Sequence, residues 1–124
     1  MTFSDRRRGD IWFQEDDGLD FDPESHITQG SRPVLVVSTS LHNATHDYVT
    51  VIPMTKNLLR ATRDNNLFVP AHKNGLTNNS VALVSQVRPV QSNKLTRYVG
   101  SVNEDTMARI EDQLRKHLGI QEAE

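Results

Sequence analysis

Four polar side chains of this 124-residue sequence stand where they could act on a phosphate: Arg32, Thr55, Gln86 and Arg88. Arg32 directly precedes Pro33, which lacks the N–H of a strand ladder and is tolerated only where a strand opens. Proline also drives the residue before it into extended backbone, so Arg32 is expected at the lip of the strand, behind a loop containing Gly30. The run Val34-Leu35-Val36-Val37 is continuous and mostly β-branched, as in a strand buried on both faces, here spanning Pro33 to about Thr39. A permanently charged guanidinium on such a support offers phosphate oxygens a planar fork of donors. Thr55 lies just past the strand Tyr48–Ile52, which Pro53 is expected to stop, and brings a hydroxyl donor. Alternation from Ser80 to Val90 puts Val81, Leu83, Ser85 and Val87 on one face, with Gln86 and Arg88 together on the other. Taken singly, Thr55 also reads as a turn hydroxyl and Arg88 as a surface cation.

Other chemistries find little support. The sequence has no cysteine, which removes disulfides, thiol nucleophiles and cysteine-ligated zinc. Its five histidines are scattered, and His42 and His46 fall in a polar turn, so no metal spacing is convincing and neither metal nor cofactor is expected. No phosphate-binding glycine loop or nucleophile elbow is present. The longest unbroken V/I/L run is four residues, too short for a membrane span. MTFSDRRRGD lacks the apolar stretch of a signal peptide, and a cytoplasmic location is expected.

The net charge of −2 conceals an uneven distribution. Residues 15–24 carry six acids and no base. Between His26 and Asn103 stand eight bases (Arg32, Lys56, Arg60, Arg63, Lys73, Arg88, Lys94 and Arg97) against Asp47 and Asp64, a net of +6. Such a segment suits a phosphate polymer, although the same cations could simply solvate loops.

The elements that must carry these groups follow from pattern. Gly9–Phe13 reads as a first strand, residues 15–31 as one long acidic surface loop, Leu67–Val69 as a short strand closed by Pro70, and Tyr98–Val102 as the last strand. Lys56–Asn65 reads as a loop or a single helical turn, and Asn74-Gly75 as a turn with positive φ. A C-terminal helix is expected over about 104–118. Asn103 caps it, Glu104 and Asp105 occupy its first turn, and Gly119 follows its end; Met107, Ile110, Leu114 and Leu118 form the core stripe. The whole is one β-rich α+β domain over 1–124, a small barrel or strongly bent sheet with a closing helix.

Four pieces in order resemble the MazF/PemK toxins of bacterial toxin–antitoxin pairs: Arg8-Gly9-Asp10-Ile11-Trp12, Gly30-Ser31-Arg32-Pro33-Val34-Leu35-Val36-Val37-Ser38, Val51-Ile52-Pro53-Met54-Thr55 and Ser85-Gln86-Val87-Arg88. The resemblance implies an SH3-like small barrel of five to seven strands with a C-terminal helix, shared with CcdB. It also implies a homodimer, an acidic antitoxin partner, and a metal-independent endoribonuclease that cuts single-stranded RNA at short sequences and inhibits translation and growth. Arg32 and Thr55 match the family's usual catalytic pair. His26 and Arg88 match residues that act near the scissile phosphate in some members, Gln86 accompanies Arg88, and Lys56, Arg60 and Arg63 are the expected RNA-contacting cations. Where some members carry an acid three residues after the second arginine, this chain has Gln91, leaving loop acids such as Glu24 as alternatives. Arg32 is then expected to stabilise a phosphorane, Thr55 to donate to the same centre, and the His26 imidazole to carry a proton. The rival readings are a CcdB-like toxin that binds DNA gyrase without catalysis, and an RNA-binding SH3-like module with a lapsed site.

Overall fold

The computed structural model describes residues 6–63 and 65–120; residues 1–5, Asp64 and residues 121–124, and with them part of the MTFSDRRRGD stretch and one of the two acids of the basic segment, lie outside the described residues. Seven antiparallel strands form the sheet: β1 (Asp10–Gln14), β2 (Arg32–Val36), β3 (Tyr48–Thr55), β4 (Leu67–Val69), β5 (Ser80–Ala82), β6 (Arg88–Gln91) and β7 (Leu95–Ser101). They run β4-β5-β3-β2-β1-β7, with β6 also paired to β3. Two helices join them, the short α1 (Ser40–Thr45) and the long α2 (Glu104–Leu118).

β2 is the strand buried on both faces. Leu35 belongs to a core with Ile11, Ile52, Met54, Val84 and Ile110, while Val34 and Val36 point the other way, into a second core with Trp12, Val49, Val51 and Leu95. The second core is covered by Arg6, which is wholly buried, lies 4.4 Å from the Trp12 ring centroid and donates to the Ser92 and Leu95 carbonyls at 3.0 and 2.7 Å.

β2 ends at Val36, short of the expected Thr39, and β7 begins at Leu95, ahead of the expected Tyr98; three further elements depart more from the sequence reading. β3 runs through Pro53 to Thr55 instead of stopping at Ile52. The Pro53 carbonyl accepts from the Leu83 N–H at 2.9 Å, so its nitrogen faces the same side, where β3 changes partner from β6, ending at Val51, to β5, beginning at Met54. No ladder bond is asked of that nitrogen, and the proline is accommodated. For the same reason Ser80–Val90 is not one strand. It divides into β5, a 3₁₀ turn at Val84–Gln86 and β6, because the segment must cross from one stretch of β3 to the other. The expected turn after β2 contains α1, whose N-cap Thr39 accepts the His42 N–H; its six residues are too few to show a helical period.

α2 has the expected bounds, with Asn103 accepting the Thr106 N–H and Gly119 left-handed at φ 71°. Met107 and Ile110 are buried and Leu114 packs against the first core, but Leu118 is exposed in the last turn.

The sheet does not close by a ladder between β4 and β7; a loop brings its ends together. Gly75, at φ +86°, crosses β7 at Gly100, where a Cβ on Gly75 would lie 1.9 Å from the Val99 carbonyl oxygen and one on Gly100 2.0 Å from that of Asn74. Asn74 braces the crossing by donating to the Pro70 carbonyl and accepting from the Leu76 N–H. Replacing Gly100 with alanine should therefore destabilise the fold by ~1–3 kcal/mol or more, lowering the thermal midpoint well beyond the effect of Ser101→Ala at the neighbouring exposed position of β7. Equal midpoints for the two variants would show that the crossing does not hold the sheet ends.

Candidate active site

A cavity of about 480 Å³ opens at the ends of β2 and β3, floored by Pro33, Met54 and Val99 and rimmed by Arg32, Thr55 and Lys56. Pro33 and Met54 lie on the face of their strands that carries Leu35 and Ile52, so the floor prolongs the first core. The loop after β4 forms the opposite wall with Leu76, Thr77 and Asn78, held there by the Gly75–Gly100 crossing.

Arg32 is half-buried and held by backbone. One terminal nitrogen donates to the Met54 carbonyl at 3.1 Å and the other to the Gln29 carbonyl, in a short contact. Arg88, also half-buried, donates to the Thr28 carbonyl at 2.8 Å, and the Gln86 side-chain oxygen accepts the Thr28 N–H at 2.7 Å. Gln86 and Arg88 thus clamp one residue from both sides, although the strand expected to align them is broken. Burial, and then the charges of Arg88 and Arg60, hold the Arg32 guanidinium below its ordinary pKa. Burial lowers Arg88 likewise. Among the described residues neither arginine makes a salt bridge.

The acidic loop is tied down by Asp16. Its carboxylate accepts from the Gly18 and Gly30 amides at 2.9 and 3.0 Å, and its own N–H donates to the Ser31 hydroxyl at 2.9 Å. Those amide bonds, aided by Arg88 and Lys94, hold the Asp16 carboxyl below its usual range. Direct contact with the two arginines is made by the loop carbonyls of Thr28 and Gln29, which are neutral, and not by its acids.

Of the residues singled out from sequence, Arg32, Thr55 and Lys56 share the cavity, and Arg60 and Arg88 lie close enough to Arg32 to act on its charge. Gln86 joins through Thr28. His26 and Glu24 are exposed on the loop outside the cavity, Arg63 is exposed at the end of the 3₁₀ turn Leu58–Thr62, and Gln91 is exposed at the end of β6. Phe13, Arg97, Asn57 and Asn78 line the cavity without having been singled out. Alternation from the buried Ile11 could have placed Phe13 on the cavity face, and Arg97 counts only among the eight bases of the basic segment; no local signal marks Asn57 or Asn78.

A bent antiparallel sheet with one closing helix, carrying two guanidiniums that form no salt bridge among the described residues near a strand-end hydroxyl, defines a small β domain with a cationic cavity. Comparison narrows this class: over residues 7–118 the chain belongs to the PemK-like, MazF-like toxins of type II toxin–antitoxin systems. It is similar to Endoribonuclease MazF9 of Mycobacterium tuberculosis, at 29% identity over 120 residues covering 92% of this chain and 97% of that one. Endoribonuclease EndoA of Bacillus subtilis is 25% identical over 115 residues, 92% of this chain and 95% of its own. The fold is that of crystalline MazF from Deinococcus radiodurans, with a TM-score of 0.74 at 20% identity over 93% of this chain and 97% of that one. A mycobacterial endoribonuclease in complex with its cognate antitoxin matches with the same TM-score at 22% identity over 95% and 99%. Among the described residues no helix is long and apolar enough to cross a membrane.

The Asp16 bonds set a pH dependence. A carboxyl depressed in the folded loop stabilises it above the unfolded value of ~3.9 and ceases to as pH falls through the folded value. The Gly18 and Gly30 amide resonances should therefore move together on acidification below about pH 4, and Asp16→Asn should abolish that titration. Resonances that stay fixed to the acid limit in the wild-type chain would remove Asp16 as the brace.

Proposed function

We propose that this chain is the toxin of a type II pair and a metal-independent, sequence-specific endoribonuclease acting on single-stranded RNA in the cytoplasm. The observation that carries the reading is the meeting of Arg32 and Thr55 in one cavity, under a positive field that no carboxylate salt bridge cancels among the described residues. Membership in a toxin family and similarity to two proteins named endoribonucleases support it.

In the proposed reaction the ribose 2′-oxygen attacks phosphorus and the bond to the 5′-oxygen breaks. The 2′-hydroxyl proton goes to a base and the departing 5′-oxygen takes up a proton, which leaves a 2′,3′-cyclic phosphate and a 5′-hydroxyl. Arg32 neutralises charge on the phosphorane, and Thr55 donates a hydrogen bond to the same centre. Being always protonated, Arg32 acts through its field before it acts on any proton. Arg88 supports the phosphate from the second guanidinium, and Lys56, Arg60 and Arg63 draw in the flanking strand. His26, two residues from the clamped Thr28, is the proton carrier and must be brought in by the loop. When RNA binds, its phosphate oxygens replace the loop carbonyls on Arg32 and Arg88, so the acidic loop is the lid of the site.

The partners in this reading are a second copy of the chain and an acidic antitoxin whose tail fills the cationic groove. Complex formation should abolish RNA cutting; cleavage at full rate in the complex would rule out competition for the groove.

Arg32→Ala and Thr55→Ala should each lower RNA cleavage ~10²–10³-fold in a chelator-containing assay while leaving the melting curve intact. Cleavage ends should carry cyclic phosphate. A folded Arg32→Ala protein cutting at the wild-type rate would overturn the assignment, and intact RNA with inhibited gyrase would instead select a CcdB-like binder.

A further inference from the structure

The cavity is larger than a phosphate needs. About 480 Å³ falls within the ~300–1,000 Å³ typical of small-molecule sites, and the part beyond Arg32 is lined by a pair that no step above uses. Arg97 of β7 places its guanidinium 5.1 Å from the centroid of the Phe13 ring on β1. The two are register partners, and Phe13 is paired on its other side with Pro33, the residue after Arg32. Phe13 is half-buried against the floor, and Arg97 is exposed. Three strands therefore hold an aromatic ring and a planar cation in one cross-strand row, immediately beside the cation assigned to the reacting phosphate.

Polar groups around this row complement the edge of a base. The Asn57 side-chain oxygen accepts the Leu59 N–H, which leaves its amide N–H groups to donate. The Asn78 side-chain nitrogen donates to the Thr77 hydroxyl, which leaves its oxygen to accept. Both residues line the cavity. One supplies donors and the other an acceptor, beside a planar stacking surface.

We infer that Phe13 and Arg97 form a stacking platform that holds one nucleobase of the RNA next to the cleaved phosphate, with Asn57 and Asn78 reading its edge. The inference rests on the proposed ribonuclease reading and adds a base subsite to it. Stacking positions the strand, so Phe13 and Arg97 are positioning residues, and Asn57 and Asn78 determine preference at one nucleotide.

The test uses the full chain and a single-stranded oligoribonucleotide spanning a mapped cut site, made uncleavable by a 2′-deoxy sugar at the scissile nucleotide. A second set carries an abasic residue at each flanking position in turn. Arg97→Ala and Phe13→Leu should weaken binding of the intact oligonucleotide roughly 5–150-fold, the equivalent of ~1–3 kcal/mol of base stacking. Arg97→Lys, which keeps the charge and loses the plane, should weaken it similarly. With the abasic residue at the platform position, all three variants should bind as the wild type does. Wild-type affinity in Arg97→Lys would make Arg97 a phosphate contact and overturn the platform, as would a loss that persists at every abasic position. If the wild-type chain neither binds nor cuts RNA, the ribonuclease reading itself falls; if it cuts normally and the variants match it throughout, only the platform does.

Discussion

Two half-buried guanidiniums, Arg32 and Arg88, are both held below their ordinary pKa by burial, Arg88 adding its charge against that of Arg32, and no carboxylate forms a salt bridge with either among the described residues. Removing cations from water costs free energy that a structure ordinarily offsets with opposite charge. Here the offset comes from dipoles. The carbonyls of Met54, Gln29 and Thr28 accept their N–H groups, and hydrogen bonds to charged donors are worth about 1.5–3 kcal/mol each. Neutral acceptors take up three of the N–H groups, leaving Arg32 Nε buried without a partner, and do so without cancelling the charge, so the positive potential survives at the cavity mouth. A carboxylate in the same place would have stabilised the arginines and extinguished the field that a phosphate requires.

Much of the surrounding structure serves that arrangement. The carbonyls of Thr28 and Gln29 lie where they do because Gln86 holds the Thr28 N–H and Asp16 holds Gly30. The Met54 carbonyl is in place because β3 continues beyond Pro53 to pair with β5. That continuation divides the following segment into β5, a 3₁₀ turn and β6, and the division sets Gln86 and Arg88 on either side of Thr28. One proline, placed where a strand changes partner, is thereby linked to both guanidiniums. Three of the four spaced motif pieces, 30–38, 51–55 and 85–88, are on this account parts of one hydrogen-bonded unit, joined through the loop residues Thr28 and Gln29.

The opposite side of the cavity is built differently. Its wall is a loop with little regular structure, held by close backbone contact between Gly75 and Gly100 and by the Asn74 side chain. The rigid cations and Asn78 therefore belong to separate structural units, while Asn57 lies just past the end of β3. In the proposed reading, a base stacked on the strand-borne Phe13–Arg97 row and met in part by this loop allows sequence preference to vary at the loop without disturbing the phosphate centre.

The local part of this architecture was legible in the residues. The β-branched run after Pro33 specified a strand buried on both faces, and the cap, charge pattern and terminal glycine of 103–119 specified a helix, because propensity and burial act within a few residues of chain. The four motif pieces pointed to Arg32, Thr55, Gln86 and Arg88, and the charge count separated a basic middle from an acidic loop. Pairing decided the rest. Whether Pro53 ends β3 depends on which strand lies beside it, and whether Ser80–Val90 is one strand depends on where β3 changes partner; neither is encoded near those residues. Arg6 shows the same limit, since an arginine in a run of cations reads as solvated until Trp12, Ser92 and Leu95 fold around it. Phe13 and Arg97, 84 positions apart, became a cavity wall only through the β1–β7 register. Local sequence sets what a segment prefers to be, while a site is made of distances between segments, and only the folded sheet determines those.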